Sequence, residues 1–256
     1  MSTHLIDQFP PPIIFGHRGA SNYAPENTLA AFQLAFKQGA IAIELDVMLS
    51  KDEEVMVIHD HTVERTTKGV GFVAEMEYGQ LKKLDAGIDF PKFKGEKIPT
   101  LQEVFDLTRG KYLINIELKN YHSVKDNLVE KVVELVFKHK MKEAVLFSSF
   151  LPTNIRKVRR MLPHVPAGLL VSYGIAGKLE QAAFFRWLSA EFIHPHFSQV
   201  NERYVKNEHR HNRRVNVWTV NEKPDIIRMI ECQVDGIITN DPLLALSVKE
   251  VSRRKV

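Results

Sequence analysis

Residues 41–47 read Ile41-Ala42-Ile43-Glu44-Leu45-Asp46-Val47. Successive side chains of an extended strand point to opposite faces. Ile43, Leu45 and Val47 therefore share one face, and Glu44 and Asp46 share the other. Residues 112–119 repeat the pattern: Ile114, Ile116 and Leu118 alternate with Asn115, Glu117 and Lys119. Two strands with an apolar outer face and a charged inner face suit a sheet that is packed by helices outside and carries chemistry inside.

Working outward, short β-branched runs recur along the chain. They predict strands at Ile13–His17, Ile41–Val47, Tyr112–Leu118, Val145–Ser149, Ala167–Val171, Phe192–His194, Val215–Val220 and Gly236–Thr239. Helical patterns lie between them. Thr28 opens one through Lys37, with Gly39 past its end, and Ser123 caps a run to Lys140. Pro152 starts one that ends near Pro163. Others cover Ala176–Leu188, Asn201–His211, Pro224–Glu231 and Pro242–Val251. Repeated βα units give parallel strands, and eight of them point to a closed (β/α)8 TIM barrel rather than an open doubly wound sheet. The whole chain, residues 1–256, is expected to be one such domain. Residues 50–99 break the rhythm and are expected to form a small inserted subdomain after the second strand, because loops that long are usually functional or separately structured.

Composition narrows the function. The 256 residues carry 35 Lys plus Arg against 31 Asp plus Glu, a net charge of +4 and 44% hydrophobic residues. So small a surplus does not make a nucleic-acid footprint. The single cysteine excludes an intramolecular disulfide and a cysteine-built zinc site. The N-terminus lacks early basic residues and is interrupted by Pro10–Pro12, so no secretory signal is expected. No stretch approaches the ~18 apolar residues of a membrane span. A cytoplasmic protein with no stable membrane insertion and no nucleic-acid partner is expected; oligomeric state stays open.

Barrel chemistry gathers at the C-terminal ends of the strands. There the sequence places Gly16-His17-Arg18-Gly19, then Glu44 and Asp46, then Glu117 and Lys119, and Trp218-Thr219-Val220-Asn221. Three inward carboxylates together need compensation. A hard divalent cation, Mg²⁺ or Ca²⁺, supplies it; an ion-pair network with Lys119 and Arg18 is the alternative. His17 and His59 are the acid–base candidates, and Arg18 offers a planar fork suited to phosphate. Together these residues describe an anionic phosphoester site. His194, His196, His209 and His211, lacking inward carboxylates beside them, are expected to be structural or on the surface.

At these residues the chain resembles the glycerophosphodiester phosphodiesterase family, and the resemblance spans nearly its whole length. Its pieces run in order: Gly16-His17-Arg18-Gly19, Pro25-Glu26-Asn27-Thr28, Glu44-Leu45-Asp46-Val47, His59-Asp60, Leu84-Asp85-Ala86-Gly87, Ile98-Pro99-Thr100-Leu101, Ile116-Glu117-Leu118-Lys119, Trp218-Thr219-Val220-Asn221 and Asp235-Gly236-Ile237-Ile238-Thr239. The resemblance implies a TIM barrel with an insertion after the second strand. It implies His17 and His59 as general acid and base, and Glu44, Asp46 and Glu117 as ligands of one divalent cation. Arg18 and Lys119 would hold phosphate, Trp218 would border the glycerol or leaving-group pocket, and Glu26 would orient Arg18. The implied reaction converts a small-molecule glycerophosphodiester to sn-glycerol 3-phosphate and an alcohol, by direct water attack or through a cyclic phosphate. Asn240 departs from the family, which often has Asp after the threonine; the metal site is expected to be unaffected. Two other readings stand beside this one. A lysophospholipase D-like or cyclising activity on lipids would use an apolar groove from Phe72, Met76, Tyr78 and Phe93. A non-catalytic phosphate-binding barrel is the other.

Overall fold

The computed structural model describes residues 4–172, 174 and 190–253. The strands are β1 (Ile13–His17), β2 (Ala42–Leu49), β3 (Val55–Val57), β4 (Leu113–Leu118), β5 (Val145–Ser149), β6 (Ala167–Val171), β7 (Phe192–Pro195), β8 (Arg214–Val217) and β9 (Gly236–Thr239). Eight of them, all but β3, pair in parallel around a ring that closes because β1 bonds to both β2 and β9. The chain is a closed barrel, as the alternating pattern predicts.

The described helices are α1 (Leu29–Lys37), α2 (Tyr78–Leu81), α3 (Leu101–Thr108), α4 (Leu128–Lys138), α5 (Pro152–Met161), α6 (Glu202–Arg210), α7 (Lys223–Glu231) and α8 (Pro242–Arg253). The helix expected at Ala176–Leu188 lies outside the described residues. Thr28 caps α1 by accepting from the Ala31 amide. Ser123 does not cap α4, which begins five residues later; its hydroxyl is held by Asp126 instead. The sequence reading passed over α3, although Thr100 and Glu103 form a reciprocal capping box at its start.

The alternation in β2 and β4 sorts two cores. Ile43, Leu45, Val47, Ile114, Ile116 and Leu118 pack outward against Phe32, Ala35, Leu101 and Val104 of the surrounding helices. Phe15, Ala42, Leu113, Leu146, Phe192 and Ile238 form a separate apolar plug inside the barrel. Each such fully buried side chain contributes about 1.5–3 kcal/mol, so register, which decides the face, is strongly specified. Residues 50–99 begin as a hairpin: β3 runs antiparallel along the end of β2. A further apolar cluster, Met48, Met56, Ile58, Val63, Val73, Leu81, Ala86 and Ile98, then holds that segment.

One interior position carries a pH dependence. His194 on β7 is fully buried, and neither ring nitrogen has a hydrogen-bond partner among the described residues. Burial pushes its pKa down to about 3. The folded state thus holds a neutral imidazole, while the unfolded chain takes up a proton near the ordinary value. This contribution is intact above that value and is lost as pH falls toward about 3. From about pH 7 to pH 5, His194 alone should remove about 2 kcal/mol of stability. Urea midpoints of wild type and His194→Leu across this range check it; an identical slope in both would refute it.

Candidate active site

Strand register assembles the site. β1 sets His17 beside Glu44, and β4 sets Glu117 beside Asp46 and Asn115 beside Glu44. The ligand-type oxygens of Glu44, Asp46 and Glu117 all lie within 4.8 Å of one another. Glu44 and Asp46 are buried, and the Glu117 side chain is 12% exposed. A cavity of about 110 Å³ opens over them, lined by His17, Arg18, Glu44, His59, Lys119 and Trp218 among others.

The turn after β1 shapes its entrance. Arg18 takes a left-handed backbone (φ 55°), and Gly19 follows at φ 90°. A side chain at Gly19 would come within 2.6 Å of Ala31, so only glycine passes here. The Arg18 amide donates to the Glu44 carbonyl (2.9 Å) and carboxylate (3.1 Å), which ties the turn to β2. The Arg18 guanidinium reaches Asp46 Oδ2 at 3.1 Å and Glu26 Oε1 at 3.0 Å. Glu26 thus lies against the Arg18 guanidinium, where the resemblance implied it.

Electrostatics divide the carboxylates. Burial opposes ionisation of Asp46, but Arg18 and Lys119 outweigh it and hold its pKa near about 2. Burial and the Asp46 charge push Glu117 upward, although Lys119 approaches it at 3.3 Å. Glu44 is raised well above the usual carboxylate range, by burial first and then by Asp46 and Glu117. Among the described residues its one ion-pair contact within 4.0 Å is His17, 3.9 Å away, whose own pKa burial and Arg18 lower to about 4. His17 is thus neutral near neutral pH, and ion pairing alone leaves Glu44 uncompensated. Asp46 Oδ1, buried, also lacks a hydrogen-bond partner among the described residues. Clustered carboxylate oxygens with a spare buried acceptor fit a hard divalent cation better than a closed salt-bridge network.

The second histidine is held from outside the barrel strands. His59 Nδ1 lies 2.5 Å from Asp60 Oδ1, and Asp60 Oδ2 accepts from Arg65 Nε at 2.5 Å. Burial opposes the Asp60 charge, but Arg65 and His59 hold its pKa near about 2. Arg65 also donates two bonds to Glu26, at 2.7 and 2.8 Å. A continuous chain His59–Asp60–Arg65–Glu26–Arg18–Asp46 therefore joins the second histidine to the carboxylates.

All nine residues singled out from the sequence meet at this end of the barrel. His17, Arg18, Glu44, His59, Glu117, Lys119 and Trp218 line the cavity; Asp46 lies beside them, and Glu26 stands behind Arg18. Trp218 makes three contacts. It borders the cavity, packs on the interior plug and donates its indole N–H to the His194 carbonyl at 2.7 Å. Sequence reasoning assigned no role to Asn27, Asp60, Arg65, Tyr121 or Asn240. Asn27 donates to Asp46 at 2.8 Å, and Tyr121 donates to Glu117 at 2.8 Å. Adjacency to Glu26 and His59 was a signal for Asn27 and Asp60, and the family's frequent Asp at this place was one for Asn240; Arg65 and Tyr121 had none beyond polarity. Phe72, Met76, Tyr78 and Phe93, the proposed lipid groove, do not line the cavity. No helix among the described residues is long and apolar enough to cross a membrane.

Comparison with known proteins agrees with this geometry. The model of the glycerophosphoryl diester phosphodiesterase family matches residues 17–244. A glycerophosphodiester phosphodiesterase of Caldanaerobacter subterraneus subsp. tengcongensis is 42% identical over 232 residues, covering 90% of this chain and 94% of the relative. Another from Bacillus altitudinis is 35% identical, covering 93% and 98%. Among solved structures, an Oleispira antarctica phosphodiesterase in complex with the product sn-glycerol-3-phosphate superimposes with a TM-score of 0.85 at 28% identity, covering 93% and 97%. A glycerophosphodiester phosphodiesterase from Agrobacterium tumefaciens gives 0.76 at 30% identity, covering 91% and 98%. With a match that runs from the first site histidine to the start of α8, the chain belongs to the glycerophosphoryl diester phosphodiesterase family.

Proposed function

We propose that this member of the family hydrolyses small glycerophosphodiesters to sn-glycerol 3-phosphate and an alcohol with the help of one divalent cation, Mg²⁺ or Ca²⁺. The observation that carries the reading is the Glu44, Asp46 and Glu117 cluster beside two histidines and two cations on one cavity. The product complex of the Oleispira antarctica relative supports the substrate class. A cytoplasmic site of action belongs to the same reading and accords with a chain carrying one cysteine.

In this reading Glu44, Asp46 and Glu117 would hold the cation, whose chemistry would be to offset charge on the phosphate and to make the attacking water or hydroxyl more acidic. Arg18 and Lys119 grip the remaining phosphate oxygens, and Glu26 keeps the Arg18 fork in its plane. One histidine takes the proton of the attacking hydroxyl, from water or from the substrate's own 2-hydroxyl. The other gives a proton to the departing alcohol oxygen as its bond to phosphorus breaks. Trp218 offers an apolar wall to the carbon skeleton.

The test is release of glycerol 3-phosphate from glycerophosphocholine in Mg²⁺, in Ca²⁺ and in excess chelator. Turnover that vanishes in chelator and returns with either cation is the expected result. Full activity in chelator would refute the metal, and no turnover of any glycerophosphodiester under either cation would refute the function.

A further inference from the structure

The His17 ring is held from a residue 223 positions away in sequence. His17 Nδ1 lies 2.6 Å from Asn240 Oδ1. With the Asn240 amide oxygen turned to the ring, as here, Nδ1 carries the proton and donates, since an amide oxygen only accepts. The other nitrogen, Nε2, then keeps its lone pair and faces Glu44 at 3.9 Å. A neutral imidazole has one proton to place, and the two tautomers are chemically different.

Asn240 is itself fixed from both sides. Its amide N–H donates to Asn221 Oδ1 at 2.9 Å, and its carbonyl accepts from the Asn22 amide at 3.1 Å. The preceding Thr239 is fully buried and donates its hydroxyl to the same Asn221 oxygen at 3.3 Å. The following Asp241 is anchored by Tyr23, whose hydroxyl donates to it at 2.6 Å. On the His17 side, Ser21 Oγ donates to the His17 carbonyl at 2.8 Å. Both partners of the contact therefore sit on pinned backbone.

We propose that Asn240 is a positioning residue that fixes the His17 imidazole in the Nδ1–H tautomer with Nε2 turned to the carboxylate cluster, and that Asn221 holds Asn240 in place to do so. The role differs from that of Asp60 behind His59. Asp60 is a carboxylate held by Arg65; Asn240 is neutral and orients the ring without adding charge. The inference rests on the reading of His17 as a proton-transfer group, and its test has a readout independent of turnover.

That readout is nitrogen NMR of ¹⁵N-histidine-labelled, metal-free protein near neutral pH, with the His17 signal assigned by its loss in His17→Ala. Wild type should show a protonated Nδ1 and a bare Nε2; Asn240→Ala should show both tautomers in exchange. With glycerophosphocholine and saturating cation, Asn240→Ala should lower kcat about 10- to 100-fold, the scale expected for a misplaced catalytic group, with KM changed about twofold or less. Asn240→Asp keeps an acceptor oxygen and should recover most of the lost kcat. Asn221→Ala should move tautomer and kcat in the same direction as Asn240→Ala. A wild-type His17 carrying its proton on Nε2 overturns the proposal whatever the kinetics, and it stays readable if Asn240→Ala fails to fold. Unchanged kcat in a folded Asn240→Ala also overturns it. Full activity in His17→Ala would instead sink the catalytic reading, leaving the tautomer to be read directly.

Discussion

Glu44→Gln should yield a protein that folds, melts higher than wild type without added metal, and no longer turns over. Three facts give this combination. Glu44 is buried, it is crowded by Asp46 and Glu117, and its carboxyl is pushed well above its ordinary range. Near neutral pH the unfolded chain gives that proton up freely while the folded chain resists, so folding carries a cost that the neutral amide removes. The amide is nearly the same shape and can still accept from the Arg18 N–H, now 3.1 Å from Glu44 Oε2. In the presence of a cation the ranking should reverse. Removing one anionic ligand weakens cation binding, so the upward shift in melting temperature with Mg²⁺ or Ca²⁺ seen for wild type should shrink or vanish in the variant. kcat/KM should fall by roughly 10³-fold, the loss of several kcal/mol of charge stabilisation at the reacting phosphate. Calorimetric melts with and without cation, beside an activity assay, check it. A variant with wild-type activity, or one destabilised without metal, would show that Glu44 is a structural carboxylate.

The histidines should show the next largest effect. His17→Ala and His59→Ala should each lower kcat by about 10²–10⁴-fold, since each removes one of the two proton transfers. KM should change far less, because Arg18 and Lys119 remain to hold the phosphate. The double variant should lose much less than the product of the two single losses, since groups that act as a unit do not contribute independently. Steady-state kinetics on four proteins with equal cation occupancy settle this. Multiplicative losses would mean that the two histidines act in separate steps. A His59→Ala protein with unchanged kcat would reduce His59 to a cavity wall.

Much of this was legible in the chain. Alternation in Ile41–Val47 and Tyr112–Leu118 placed Glu44, Asp46 and Glu117 inside the barrel, because side-chain direction in a strand follows from local backbone geometry alone. The strand ends were less accurate. The strand predicted at Val215–Val220 runs as Arg214–Val217; beyond it Trp218 still pairs in parallel with His196, but only as an isolated bridge. α3 was missed for want of attention to a capping box that sat in plain sequence.

What the sequence determined by itself was the set of candidate site groups and the face each strand residue would take, the latter set by neighbours within a few residues. What only the tertiary structure decided was how those groups are held. The Asn240 contact to His17 and the Arg65 bridge from Asp60 to Glu26 join residues 223 and 39 positions apart. Such contacts exist only after the ring of strands closes and β9 lies against β1. No local pattern encodes them, because a half-buried asparagine or an exposed arginine has the same neighbours in sequence whether or not it meets a histidine or a carboxylate across the barrel.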